Sequence, residues 1–387
     1  MAVAALCRFG FELWRLLGAP GRSGAIDLQA RYGEVRRWFT DCPVYTLRRH
    51  AGYPPASYVL LWPLLGWSRW EVARWLWAVL NLGVLVLAVR FLLQQSGADR
   101  WRERLFVVLM LLAPYPVPVT LGNGQLGILA LTAMVAGIFW LAPGRAAGWR
   151  RDLGAAGLLL LALVKPSLTA PFFWVVLFRP GGLRPVLLTA AGYVGLTALA
   201  EVFRSQPLVA ELAALADLNA LVVGRAGYAY VPLWLGGLGL LSWSTWASLS
   251  LLLALGVWVA RNRHGSAWPI LGVTAIVGRL ATYHGVYDDS LILLALVALF
   301  RAAKQVRACG GRDVLAAALL ALAFAPLLAP VTMAKMALPW NLIHHALQPL
   351  VWVAIMVFLA SEATKPTCPL PSPPRLVLSP GRALHER

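Results

Sequence analysis

The amino-acid sequence predicts an all-α polytopic membrane protein with about 11–12 membrane segments, counting roughly 20 apolar residues per full crossing and fewer where a segment is short or bent. Three observations carry that prediction. Hydrophobic residues fill 60% of the 387 positions and charged ones only 13%, against about 45–50% and about 25% in soluble globular domains. Many of the eighteen Trp stand near the ends of apolar runs, where an interfacial aromatic belt sits. The basic residues come in twos to fours between the apolar runs and form no single patch.

That spacing decides how the formal net charge of +18 is read. Basic chains attract polyanions, but here the charge follows the positive-inside pattern of loops, so the partner is the lipid bilayer and not nucleic acid. Loops 94–104, 143–152, 179–185, 261–264, 301–312 and the C-terminal tail hold eighteen Lys or Arg. They alternate with the remaining loops, which places them, and the C-terminus, on the cytoplasmic side of a multi-pass cell-membrane protein. The outer side then receives residues 26–67, GNGQ at 122–125, KPSLTAP at 165–171, residues 204–230, the YHGVYDD turn at 283–289 and MAKMALPWN at 333–341. Residues 1–363 read as one transmembrane unit, with 25–67 its long outer loop. Residues 364–387 are Pro-rich and aperiodic, a disordered tail.

Taken in order, residues 2–19 make an imperfect first span. Arg8, Glu12 and Arg15 fall at i, i+4 and i+7, one polar stripe on a helix. Such charges must face protein or the interface, because each costs about 2.5–3.5 kcal/mol or more at mid-bilayer. They also spoil a signal-peptide reading. Asp27, Arg31 and Glu34 repeat the same spacing beside an apolar stripe of Leu28, Tyr32, Val35 and Phe39, which predicts an amphipathic helix lying on the outer surface. Periodicity alone leaves that helix a solvated one with an ordinary Asp27–Arg31 pair. Tyr53-Pro54-Pro55 then starts an apolar run, 56–67, too short to cross and broken by Pro63, so it dips only part-way into the membrane.

Spans follow at 70–93, 105–121 and 126–141. The last two flank GNGQLG, which matches GxGxxG only as a string; no strand precedes it, so it is a tight Gly turn. Asn123 and Gln125 there offer hydrogen bonds to a sugar. Short spans at 153–164 and 172–178 meet at Lys165-Pro166, and an ionisable residue at membrane depth is a functional candidate, here for pairing a lipid phosphate. Snorkelling is the ordinary alternative. After 186–203, the longer polar segment 204–230 leads to further spans at 233–260, 268–283, 291–303, 314–333 and 342–359. Arg279, deep in an apolar span, requires an anionic partner: Asp288, Asp289 or a substrate phosphate. His284 and Asp288, at i and i+4, suit orienting a hydroxyl or, less commonly, ligating a metal. His344-His345 gives a weaker signal of the same kind. Cys7, Cys42, Cys309 and Cys368 have neither disulfide-framework nor zinc spacing, so no metal and no cofactor is expected.

The order of these motifs resembles glycosyltransferase family 87, membrane enzymes of the C-type superfamily. The carriers are Asp27, Pro43-Val44-Tyr45, Tyr53-Pro54-Pro55 with Pro63-Leu64, Gly122-Asn123-Gly124-Gln125, Lys165-Pro166 and the polar turn at 283–288. They are short motifs spread over residues 25–300; nothing after residue 300 matches. The resemblance implies a C-type architecture and an inverting transfer of a hexose, typically mannose, from a polyprenyl-phosphate sugar to a glycolipid or glycan acceptor on the outer face. It also singles out Asp27 as general base and Lys165 for the departing phosphate; Tyr53, Asn123, Gln125, His284 and Asp288, which lie in its motifs, Arg31 and Glu34, which share the Asp27 helix face, and Arg279, from burial alone, complete the expected substrate-binding set. Two other classes fit the residues less well: a transporter or flippase using the buried cations and broken helices, and a non-catalytic relative that keeps only the scaffold.

Overall fold

The computed structural model describes residues 1–20, 24–45, 52–141, 148–223, 230–282, 284–304 and 311–364. The tail, Tyr283, Cys309 and Cys368 lie outside the described residues. Every regular element among the described residues is a helix, as the sequence predicts. Four helices are long and apolar enough to cross a membrane: Trp70–Gln95, Leu183–Glu201, Leu241–Arg261 and Ile343–Ala363. Two bent pairs raise this to six: Trp101–Leu112 with Pro116–Asn123 at 47°, and Trp149–Ala162 with Pro166–Phe178 at 117°. Three shorter apolar helices, Pro55–Leu65, Gly127–Trp140 and Ala267–Ala281, accompany them.

The chain is a polytopic membrane protein, but fewer of its segments are full-length crossings than the apolar runs suggest. The cause is local. Pro55, Pro116 and Pro166 each open a new helix at its first turn, where a missing N–H costs nothing. Pro116 and Pro166 therefore divide apolar runs into bent pieces. Gly127–Trp140 and Ala267–Ala281 are buried along nearly their whole length. They form the centre of the bundle, while Leu183–Glu201 and Leu241–Arg261 turn most of their surface outward.

The opening helix, Ala2–Leu17, packs one face on Pro116–Asn123 and leaves most of the rest exposed, and its polar stripe lies toward the packed side. Glu12 is buried and bridges Arg15 at 2.6 Å, while Arg15 donates to Asn123 Oδ1 at 2.8 Å. Arg8 donates to the Leu328 carbonyl at 2.9 Å and lies 5.2 Å from the Tyr115 ring. All three charges thus find protein partners.

The helix predicted after it spans Ile26–Trp38, but its polar stripe is not solvated. Arg31 and Glu34 are buried and paired at 2.8 Å, and Leu28, Val35 and Trp38 are buried beside them. Helical spacing finds the two stripes; only packing shows that both face protein. Trp38 fixes the far end. Its Nε1 donates to the Ala200 carbonyl at 3.0 Å, Tyr58 stacks on it at 4.9 Å, and the Arg204 guanidinium lies 4.8 Å away.

Candidate active site

Three irregular joints converge on one cavity of about 630 Å³. The first is the start of the Ile26–Trp38 helix, which brings Asp27 and Arg31. Tyr53 and Pro54, just before the Pro55–Leu65 helix, close on the same space. Tyr53 is held from behind, because Tyr45 donates its hydroxyl to the Tyr53 carbonyl at 2.7 Å. The Arg31 guanidinium lies 4.2 Å from the Tyr53 ring, a cation–π contact that orients both.

The second joint is the GNGQ turn. Gly124 sits at φ +70°, the left-handed conformation that ends a helix and that glycine adopts without strain. A Cβ there would stand 2.4 Å from Leu28 Cβ, and one on Gly122 would stand 1.9 Å from Glu12 Oε2. Both glycines therefore let the two N-terminal helices approach, and the Ala25 N–H donates to the Gly122 carbonyl at 3.1 Å. This approach sets the Gln125 side chain to hydrogen-bond Asp27. Asn123 points the other way, to Arg15, and does not line the cavity.

The third joint is the 117° bend at Lys165-Pro166. Lys165 is buried, and its Nζ meets Asp288 Oδ1 at 2.5 Å. Lys165 also lies 5.2 Å from the Tyr287 ring. Its partner in the structure is thus a carboxylate supplied 123 positions later. Asp288 sits on a 3₁₀ turn, Val286–Leu291, and meets His284 Nδ1 at 3.2 Å. His284 Nε2 is 2.7 Å from Thr282 Oγ1.

Burial and charge divide the two cavity carboxyls. Burial pushes Asp27 up from the usual carboxylate range, against the Gln125 hydrogen bond and the charges of Arg31 and Lys165. Burial also acts on Asp288, but the Lys165 charge and the His284 hydrogen bond hold it well below that range. Burial lowers His284 and keeps the ring neutral, so its Nδ1–H donates to the ionised Asp288. Two carboxyls so divided have different uses: Asp27 is the better proton acceptor, and Asp288 is a fixed counter-charge.

Of the ten sequence-derived residues, Asp27, Arg31, Tyr53, Gln125, Lys165 and Asp288 line the cavity. Glu34 and His284 stand behind it as partners of Arg31 and Asp288. Arg279 is fully buried, pairs with Asp289 at 2.6 Å and faces away toward Trp352 at 5.3 Å. Residues absent from that set complete the wall. Leu215, Leu218 and Asn219 come from a helix, Leu208–Val223, inside the segment that reads as polar loop. Ser244, Thr245 and Ser248 open the next helix. Their i, i+1, i+4 spacing, at the start of an otherwise apolar helix, was the available signal. Among the described residues no three His, Cys, Asp or Glu cluster as a metal site would require.

Comparison with known proteins adds an independent line. A family model, Glycosyltransferase family 87, matches residues 52–246, half of the chain. Tyr53, Gln125 and Lys165 lie inside the matched range, and Asp27, Arg31 and Asp288 outside it. Among curated proteins, the alpha-(1->3)-arabinofuranosyltransferase of Corynebacterium glutamicum is 28% identical over 232 residues. The alignment covers 55% of this chain and 53% of that protein, so the chain spans about half the length of the curated relative it matches. No solved structure matches.

Proposed function

The chain belongs to glycosyltransferase family 87, and from that premise we propose that it transfers a sugar from a polyprenyl-phosphate carrier to a glycolipid or glycan hydroxyl at the outer face of a cell membrane. The observation that carries the reading is the single cavity lined by Asp27, Arg31, Tyr53, Gln125, Lys165 and Asp288. It combines a carboxyl of raised basicity with cations and neutral hydrogen-bonding groups.

The reaction follows from those groups. Asp27, its carboxylate oriented by Gln125, accepts the proton of the acceptor hydroxyl as that oxygen attacks the sugar carbon. The bond from that carbon to the phosphate oxygen breaks on the opposite face, so configuration inverts. The polyprenyl phosphate leaves with the electron pair. Arg31 and Lys165 stabilise the charge that develops on it. Glu34 and Asp288 hold those two cations in place and temper their charge, and His284 and Thr282 fix Asp288. Tyr53, its phenol kept protonated by burial, donates to sugar or phosphate oxygen. Leu215, Leu218, Leu249 and Leu252 give the isoprenoid chain an apolar wall.

Two donor sugars are in play. The motif resemblance points to mannose, whereas the name of the relative favours an arabinofuranosyl donor. The deciding experiment supplies membranes containing the protein with radiolabelled polyprenyl-phosphate mannose and, separately, polyprenyl-phosphate arabinofuranose, for wild type and Asp27→Asn. Transfer from either by wild type alone supports the reading and names the sugar. Equal transfer by both proteins removes Asp27 as base, and no transfer from any carrier favours the transporter or non-catalytic readings. The topology has its own test: a thiol probe reaching Cys42 only from the cytoplasm would reverse the orientation.

A further inference from the structure

A second cavity, of about 680 Å³, is an open groove between the end of the Trp70–Gln95 helix and the Trp101–Leu112 helix. Leu85, Val86, Val89, Arg90, Leu93 and Gln94 line it at i, i+1, i+4, i+5, i+8 and i+9, one helix face running about 14 Å along the axis. The mid-helix end of the groove is apolar. The other end is cationic, with Arg90 and Arg104 both exposed in its wall. Arg90 is the only charged residue between Arg74 and Asp99, on a helix long and apolar enough to cross a membrane. A charge so placed reaches for the interface or for an anion.

The cations around that end fall into two sets. Arg301 donates to the Gln95 carbonyl and Lys304 to the Gly97 carbonyl, and Lys304 also meets Asp99 and Glu103, each at 2.7 Å. These two cations therefore cover the carbonyls at the helix end and both acids of the following loop. Arg90 and Arg104 are left over. Among the described residues neither meets a carboxylate, and Arg104 gives only its Nε, to the Ala98 carbonyl at 3.3 Å. Two guanidinium forks at the polar end of an apolar groove suit an oxygen-rich anion that carries an aliphatic chain.

We infer that this groove binds an anionic glycerophospholipid of the bilayer, with its phosphate on Arg90 and Arg104 and one acyl chain along Leu85, Val86, Val89 and Leu93. The site is separate from the first cavity. The start of the same helix adjoins the Ile26–Trp38 helix, where Tyr32 packs on Trp70 at 5.3 Å and donates to the Ser68 carbonyl at 3.0 Å. Arg90 stands twenty residues beyond Trp70, about 30 Å along the axis and so about the thickness of the hydrocarbon core. The groove thus serves the leaflet opposite the first cavity. A zwitterionic head would bring an ammonium group against two uncompensated arginines, whereas a net-negative head gains from both. The inference does not rest on the transferase reading, because binding is read without turnover.

The test uses the full chain in a non-ionic detergent, with phosphatidylglycerol and phosphatidylcholine of equal chain length titrated separately and adducts counted by native mass spectrometry. One phosphatidylglycerol per chain, held about tenfold more tightly than phosphatidylcholine, is the expected result, and Arg90→Gln with Arg104→Gln abolishes the preference. Val89→Trp, which fills the groove and keeps both arginines, weakens the same adduct and serves if the double variant does not fold. Arg261→Gln with Arg263→Gln, which removes two exposed charges from another basic loop, leaves the adduct unchanged. Equal binding of the two lipids, a preference that survives either groove variant, or an equal loss in the Arg261 and Arg263 control overturns the inference. So does arginine-dependent binding of a short polyprenyl phosphate more tightly than phosphatidylglycerol, which would assign the groove to the carrier lipid.

Discussion

Replacing Lys165 by Met separates what this cation does for the fold from what it does for the reaction. Lys165 and Asp288 are both buried and stand 2.5 Å apart. Removing one partner of such a pair strands the other charge in a low-dielectric site and costs about 3–5 kcal/mol. His284 donates to the same carboxyl, which places the expected loss toward the lower end, about 3 kcal/mol. Adding Asp288→Asn removes the stranded charge, so the double variant regains at least about half of that loss, a coupling within the usual range for contacting residues. Reversible unfolding in mixed micelles reads the stability, and single-turnover transfer from radiolabelled polyprenyl-phosphate sugar reads the chemistry. If Lys165 stabilises the departing phosphate, the double variant recovers stability but stays about a hundredfold or more slower. Recovery of both stability and transfer would refute the reasoning and reduce Lys165 to a structural partner of Asp288.

The remaining predictions concern Asp27 and the turn behind it. Asp27→Asn lowers transfer by about 10²–10⁴, measured in membranes at matched protein levels; a smaller loss removes the base assignment. A carboxyl whose folded pKa is raised binds its proton more tightly in the folded state, so its ionisation weakens the fold as pH rises through that window. Asp27→Asn is therefore as stable as wild type at neutral pH or more so, and a marked fall in its unfolding temperature argues against this. Catalysis needs the deprotonated form, so transfer falls on the acid side at a pH above the ordinary Asp value of about 3.9; a limb at or below that value contradicts the burial of Asp27. Gly124→Ala places a side chain at φ +70° and 2.4 Å from Leu28 Cβ. It lowers stability by at least about 1 kcal/mol and slows transfer through Gln125, whereas Ala at half-buried Gly97, also at positive φ but with open space for a Cβ, leaves transfer unchanged.

What the sequence disclosed was whatever depends on near neighbours in the chain. Apolar runs gave the membrane class, Tyr53-Pro54-Pro55 gave the break before the helix at 55, and the i, i+4, i+7 charges gave two polar stripes, whereas the helix starts at Pro116, inside the run read as one span, and at Pro166 were not read. Motif order brought forward Asp27, which spacing alone left indistinguishable from a solvated helix residue. Partnerships across the bundle were not legible. Lys165 meets Asp288 from 123 positions away, and Arg15 takes Asn123 from 108 positions away; no local pattern encodes either. The inward turn of Arg31 and Glu34 escaped for a related reason. A polar stripe announces water only when nothing polar waits on the protein side. The helix Leu208–Val223 was hidden by its flanks, since Arg204 and the glycine-bearing end of that segment made a strongly apolar 16-residue stretch look like loop.

The contact between Glu12 and Gly122 carries a consequence for how this protein can vary. The first helix lines no part of either cavity, yet it pins the turn that presents Gln125 to Asp27. A side chain at 122 would collide with the Glu12 carboxylate, which is itself held by Arg15, which in turn holds Asn123. Positions 12, 15, 122 and 123 therefore form one unit of inheritance. Related chains with any side chain at 122 should carry a shorter residue at 12 and abandon the Arg15–Asn123 contact in the same step. Grafting the first helix of one relative onto the body of another should succeed only when all four positions travel together.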